Sequence, residues 1–286
     1  MQFLIITSCT SRKRGGLSSP LTIKDLDCGN HTELATQWLC HADNALNKVR
    51  AEEMYTGRSV FEVKKAAKLI DADIYFASTG FGLINKGTLI PNYDLTVADS
   101  KQTLSQKINS ELFSAQTWWR TINEIRKIKP ISSILEYSSN LTILLALPKT
   151  YLELIKLDLE SIKEKNIHQL RIFTSSENYK TLPEIVKSAY IPYDDRFDGN
   201  NSPNPGTRSD YPQRVLRHFI EFILNPNNMN LEIEKEKVLE MLDGMRVRPR
   251  IERIKLSDQE ISIIIEKNWE KALGVELHSE LTHLTI

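Results

Sequence analysis

The chain has 286 residues, 41% hydrophobic and 26% charged, an ordinary globular balance long enough to bury a substantial core. Lys plus Arg equal Asp plus Glu at 37 each, so no global field draws it to a polyanion and any such site must come from local clustering. Three cysteines, Cys9, Cys28 and Cys40, without C-x-x-C spacing argue against a disulfide framework and for a reducing cytoplasm. The start MQFLIITS lacks the basic region of a signal peptide, and no run approaches 18 apolar residues, so no membrane span is expected.

Residues 2–8 read as a buried strand, and 33–49 and 59–70 as helices. The second helix sets Val60, Val63, Ala67 and Ile70 on one face, with Ser59 as N-cap. A strand at 72–78 runs into TGFG, and a helix follows at about 109–127, where Trp118 and Trp119 interrupt a charged surface. The segments 131–137 (ISSILEY), 141–148 and 170–175 read as strands, with a helix over 149–165. This alternation predicts an α/β class with a mainly parallel central sheet flanked by helices. Ligands of such sheets gather beyond the carboxyl ends of strands, here TSCTSRKR, ASTGFG, EYSS and FTSSE.

After Tyr193 the stretch 194–212 is rich in Gly, Pro, Asn and Asp, and a helix follows at 212–224 with Pro212 in its first turn. NPNNMN (225–230) reads as a linker. The division expected is an α/β catalytic domain over 1–224 and a small helical C-terminal region over 231–286. That region has helices at 231–243 and 257–273, the latter opened by a Ser257–Glu260 capping box, and a basic connector at 245–255.

Several stretches could carry chemistry. Ser8, Cys9, Thr10, Arg12 and Lys13 at a strand end suit an anion nest. A lone Cys9 with no evident His partner reads as a packed residue before a nucleophile. The turn Ser78-Thr79-Gly80-Phe81-Gly82 marks a close backbone approach without being a dinucleotide fingerprint. Asp94, beside Tyr93, is a general base or a turn carboxylate, and Glu136 is a second carboxylate at a strand end. Asp194, Asp195, Arg196, Asp198, Arg208 and Asp210 either lock their loop by ion pairs or form a substrate-facing lid. The six histidines show no metal spacing, and there is no P-loop, so no metal or cofactor is expected.

Taken in order, SCTSRKR, EMYTGRSVF, YFASTGFGLINKG and IPNYDLT resemble a family of small bacterial and phage proteins. Its pattern is CS-x-x-K, LY-x-G-x-x-F, LSA-x-x-GL and PYD-x-T. The resemblance covers about residues 3–96. It departs at Cys9-Thr10, Ser78-Thr79 and Asn92-Tyr93-Asp94. The family is similar to the uracil-DNA-glycosylase-like fold, and the larger form, with the DDRFDG, GTRSD and QRVLRHF blocks, resembles bacteriophage-restricting DNA glycosylases. The resemblance implies excision of a modified base from foreign DNA as antiviral defence. Asp94, Glu136 and Asp195 would be its carboxylates, and Tyr55, Phe81 and Tyr93 would stack the flipped base. Arg12, Lys13, Arg196 and Arg208 would hold phosphates in the site, and Arg246, Arg248 and Arg250 the DNA backbone. The alternatives are a nucleoside or nucleotide hydrolase and a non-catalytic nucleic-acid-binding protein.

Overall fold

In this computed structural model the described residues are 2–14, 19–95, 104–108, 113–199 and 201–245, with isolated positions between 254 and 285. Strand β1 (Gln2–Ser8) buries every residue but Gln2, so it reads as a continuous apolar run rather than an alternating one. It pairs in parallel with β2 (Asp73–Ser78) on one side, Ile5 opposite Ile74. On the other side it pairs in parallel with β4 (Leu141–Ala146), Ile6 opposite Leu145. Strand β5 (Leu170–Phe173) continues the parallel sheet beyond β4, and β3 (Gly82–Asn85) closes the far edge antiparallel to β2. The order is β3-β2-β1-β4-β5.

Helices cover this sheet. Helix α1 (His31–Asn44) opens with a reciprocal Asn30–Glu33 capping box. Helix α2 (Arg58–Ile70) buries Val60, Val63, Ala66 and Ala67. It packs on β1 and β2 and, over its length, on α6 (Tyr211–Phe222). Helix α3 (Ala115–Ile125) packs on α1 and β3, and α4 (Ile131–Tyr137) on β4. The short α5 (Lys149–Leu154) follows β4. Fold class is therefore α/β with a mostly parallel central sheet, as the alternation predicts.

Four local expectations need correction. ISSILEY is helix α4, not a strand: Pro130 starts it, and Ile131 and Leu135, four apart, share the buried face. The 149–165 helix is broken into α5, Lys156–Glu160 and a 3-10 turn at Glu164–Gln169. Trp118 and Trp119 are buried rather than on the surface. Gly57, not Ser59, is the N-cap of α2.

The boundary also falls later than composition suggests. The first compact unit runs from Met1 to Arg246 and contains α7 (Leu231–Asp243). Val238 and Leu242 are buried, Glu234 forms a buried ion pair with Arg171 of β5, and Asp243 holds Arg196 at 2.6 Å. A second unit comprises Val247–Ile286. Within it Ile254–Lys255 pairs in parallel with Leu284–Thr285, and the Ser257–Glu260 capping box is present. Arg246, Arg248 and Arg250, and most of the expected 257–273 helix, lie outside the described residues. Among the described residues no helix is long and apolar enough to cross a membrane.

Candidate functional site

The chain leaves β1 for β2 on one side and later returns to β4 on the other. Strand order thus reverses between β1 and β4, and their carboxyl ends bound the crevice where open α/β sheets take ligands. A cavity of about 550 Å³ lies there. Its walls are Ser8 to Arg12 after β1, Thr56 to Ser59 at the start of α2, Pro148, Thr150 and Tyr151 after β4, and Thr207, Ser209 and Asp210 before α6.

Two of these walls are built as one piece. The carbonyl of Arg12 accepts from Thr56 N–H at 3.1 Å and from the hydroxyls of Thr10 and Thr56 at 2.8 and 3.1 Å. Arg14 N–H donates to the Met54 carbonyl at 2.9 Å. The loop after β1 and the start of α2 are therefore fixed to each other. Gly57 holds φ +110° and ψ 176°, a conformation open in practice to glycine alone. No side chain caps α2, so the N–H groups of Arg58, Ser59 and Val60 lack intrahelical partners beside the cavity. The guanidinium groups of Arg12 and Arg58 add full positive charges to this partial one.

One carboxylate faces these cations. Asp210 is 3% exposed. Its Oδ1 accepts from Arg214 Nε and from Thr207 N–H, both at 2.8 Å, while Oδ2 stands 3.6 Å from Arg58 Nε, too far for a hydrogen bond. Oδ2 therefore keeps acceptor capacity toward the cavity.

Beneath the cavity lies a layer of hydroxyls. Cys9 Sγ is 3.0 Å from the Tyr151 hydroxyl. Deeper, the hydroxyls of Tyr55, Ser78 and Tyr93 form a triangle with sides of 3.1, 3.0 and 2.7 Å. Burial first, and the neighbouring Cys9 second, push the phenols of Tyr55, Tyr93 and Tyr151 well above the ordinary tyrosine range, so they stay neutral.

Of the residues expected from sequence, Ser8, Cys9, Thr10 and Arg12 line the cavity. Lys13 lies with its ammonium 4.3 Å from the Tyr93 ring centre. Ser78, Thr79, Tyr55, Phe81 and Tyr93 are buried support and present no face to a base. Phe81 and Tyr93 pack edge to face at 4.9 Å, and the indole N–H groups of Trp118 and Trp38 hold the carbonyls of Thr79 and Gly80, both at 2.8 Å. Gly82, at φ +74°, brings its backbone against Asn123, whose Oδ1 accepts from Leu83 N–H.

The expected carboxylates do not share the cavity. Asp94 is exposed where Tyr93–Asp94 pairs with Leu21–Thr22, and does not line it. Glu136 lies in the last turn of α4, not at a strand end, and is ion-paired with Lys163 at 2.9 Å. Arg196 is held by Asp194 and Asp243 rather than presented to a ligand. Asp195 and Arg208 line a second cavity of about 280 Å³ that shares Pro148 and Thr150 with the first. His218 is buried against the Tyr193 hydroxyl at 2.7 Å, and burial lowers its pKa to about 4, which makes it structural.

Sequence reasoning did not pick out Arg58 or Tyr151, and ranked Asp210 only as part of a mixed loop. The signal for Arg58 was the Thr-Gly-Arg-Ser start of α2. Tyr151 was hidden because reading 131–137 as a strand placed a carboxyl end at EYSS, when the end that matters is that of β4.

Comparison of the chain with protein-family models, with curated proteins and with solved structures finds no match.

Proposed function

We propose that the protein is a DNA N-glycosylase that takes one nucleotide into the cavity between β1 and β4 and releases its base, leaving an abasic site. The observation that carries the reading is the pairing, in one switch-point cavity, of two guanidinium groups with a buried carboxylate that keeps a free lone pair. Arg12, Arg58 and the first N–H groups of α2 hold a phosphate. Cleavage of the N-glycosidic bond leaves its electron pair on the base and positive charge on the sugar. A fixed Asp210 carboxylate stabilises that charge. Water supplies hydroxide to C1′ and its proton goes to the base. Asp94 and Glu136, off the cavity, have no part in this scheme.

A covalent route through Cys9 is not favoured. Its thiol meets the neutral Tyr151 hydroxyl, and no histidine is among the described residues lining the cavity. A second reading, hydrolysis of a free nucleotide, draws on the two guanidinium groups in the cavity, which suit a single phosphate, and on the balanced total charge.

The test is incubation with phage DNA carrying modified bases, with unmodified DNA and with nucleoside 5′-monophosphates. Abasic sites in the modified DNA, counted with an aldehyde-reactive probe, are the expected result. Base release from monophosphates alone selects the second reading. No release from any of them refutes both.

A further inference from the structure

The Asp and Arg residues of 194–214 divide into two sets. Asp194, Arg196, Asp198, Asp210 and Arg214 are joined in ion pairs between 2.6 and 2.9 Å, partly through Asp243 of α7. These lock the loop. Asp195 and Arg208 take no part: both are exposed, and neither is joined by an ion pair to a described residue. They meet instead in the 280 Å³ cavity, together with Ser175, Glu177 and Asn178 from the carboxyl end of β5. Glu177 likewise has no ion-pair partner among the described residues. A loop built only to lock itself would consume these charges.

The two cavities differ in chemistry. The first is cationic, with Arg12 and Arg58. The second offers the unpaired carboxylates of Asp195 and Glu177, that of Asp198 held by Arg214, the amide of Asn178, and two cations, Arg208 and Lys149. Pro148 and Thr150 wall both, so the compartments adjoin beyond the neighbouring strands β4 and β5. A ligand reaching across that wall has its anionic end in one and a neutral, hydrogen-bonding end in the other. The carboxylates of Asp195 and Glu177 only accept hydrogen bonds, so on their side of the cavity they favour a group rich in N–H donors.

We propose that the second cavity is a base-recognition subsite in which Asp195 and Glu177 select a base bearing an exocyclic amino group over its carbonyl counterpart. The inference rests on the proposed function, since it takes the first cavity to hold the phosphate. Carboxylate acceptance from a base amino group is a recognised mode of readout, and one well-placed polar pair discriminates about tenfold or more.

The matched probes are dCMP and dUMP, which share sugar and phosphate and present an amino group against a carbonyl at C4, with an unprotonated N3 against N3–H. Titration of the full chain by calorimetry should show dCMP binding about tenfold tighter. The Asp195→Asn, Glu177→Gln double variant, changed at two exposed positions, should lose that preference and leave dUMP affinity within about twofold. Arg12→Ala should weaken both nucleotides alike. Equal affinities for dCMP and dUMP, both dependent on Arg12, would overturn the subsite and leave the proposed function standing. Binding of neither nucleotide would overturn the subsite and the phosphate-holding cavity together.

Discussion

Replacing Asp210 by Asn separates a structural carboxylate from one that acts on a substrate. The amide keeps the size of the side chain, and its carbonyl oxygen can still accept from Arg214 Nε and Thr207 N–H. What is lost is the charge. The guanidinium of Arg214 is 1% exposed but retains Asp198 at 2.8 Å and the carbonyls of Asn204 and Thr207. It is therefore not orphaned, and the penalty is the difference between a charged and a neutral hydrogen bond. That difference costs about 1–2 kcal/mol, against the 3–5 kcal/mol of a buried charge left alone. On the proposed glycosylase reading activity should fall much further, because the lost charge would face the sugar in the transition state. The expected loss in base release is on the order of 10²- to 10³-fold, with nucleotide binding changed only a few-fold. Urea unfolding measures the first quantity and single-turnover abasic-site formation the second. Asp94→Asn is the control and should be silent in both. If Asp210→Asn loses the stability yet releases base at the wild-type rate, Asp210 is only part of the loop lock. If Asp94→Asn is inactive, the carboxylate has been placed wrongly.

Two further outcomes follow from the geometry. Gly57→Ala meets no steric obstacle, since the new Cβ would find only Arg12 Cδ at 3.9 Å, but φ +110° should cost about 1–3 kcal/mol in chemical denaturation and weaken phosphate binding by disturbing the start of α2; wild-type values for both would show that this turn does not set the site. His218 is held neutral, so acid favours the unfolded chain, which takes the proton first: stability is full above pH 6.5 and falls as pH drops from there toward about 4, by about 3 kcal/mol if the whole pKa change is expressed. NMR titration of the histidines should find one that stays neutral to near pH 4, and an ordinary midpoint for all six would refute this.

The four parallel strands were legible because they are short β-branched and aliphatic runs buried on both faces, whereas β3, Gly82–Asn85, reads in sequence as part of a glycine turn. ISSILEY failed for a related reason: seven residues with apolar ends fit either a strand or two helical turns, and only the packing of Ile131 and Leu135 decides. The first half of the site was legible in SCTSR, since a buried strand ending in hydroxyls and a cation must open onto something polar. Tyr55, Tyr93 and Phe81 were misread because an aromatic beside a glycine turn looks the same in sequence whether it faces a ligand or the core. Here Trp38 and Trp118, distant in sequence, cover the turn and make it core.

The choice among carboxylates could not be made from residue type or spacing, because it depends on which lone pairs are already used. Asp198 and Asp210 both pair with Arg214, yet Asp210 sits one helical turn before that arginine, at i and i+4, and is fixed by it through one oxygen. The other oxygen is left toward Arg58 and the cavity. The same ion pair thus serves two ends: it anchors the entry to α6, and it holds a carboxylate in place where an exposed one, such as Asp94, would have to be ordered at the moment of reaction. A preorganised charge of this kind is worth most to a transition state that develops charge of the opposite sign. The arginine cluster that reads as mere loop chemistry is, on this argument, what makes Asp210 the better candidate.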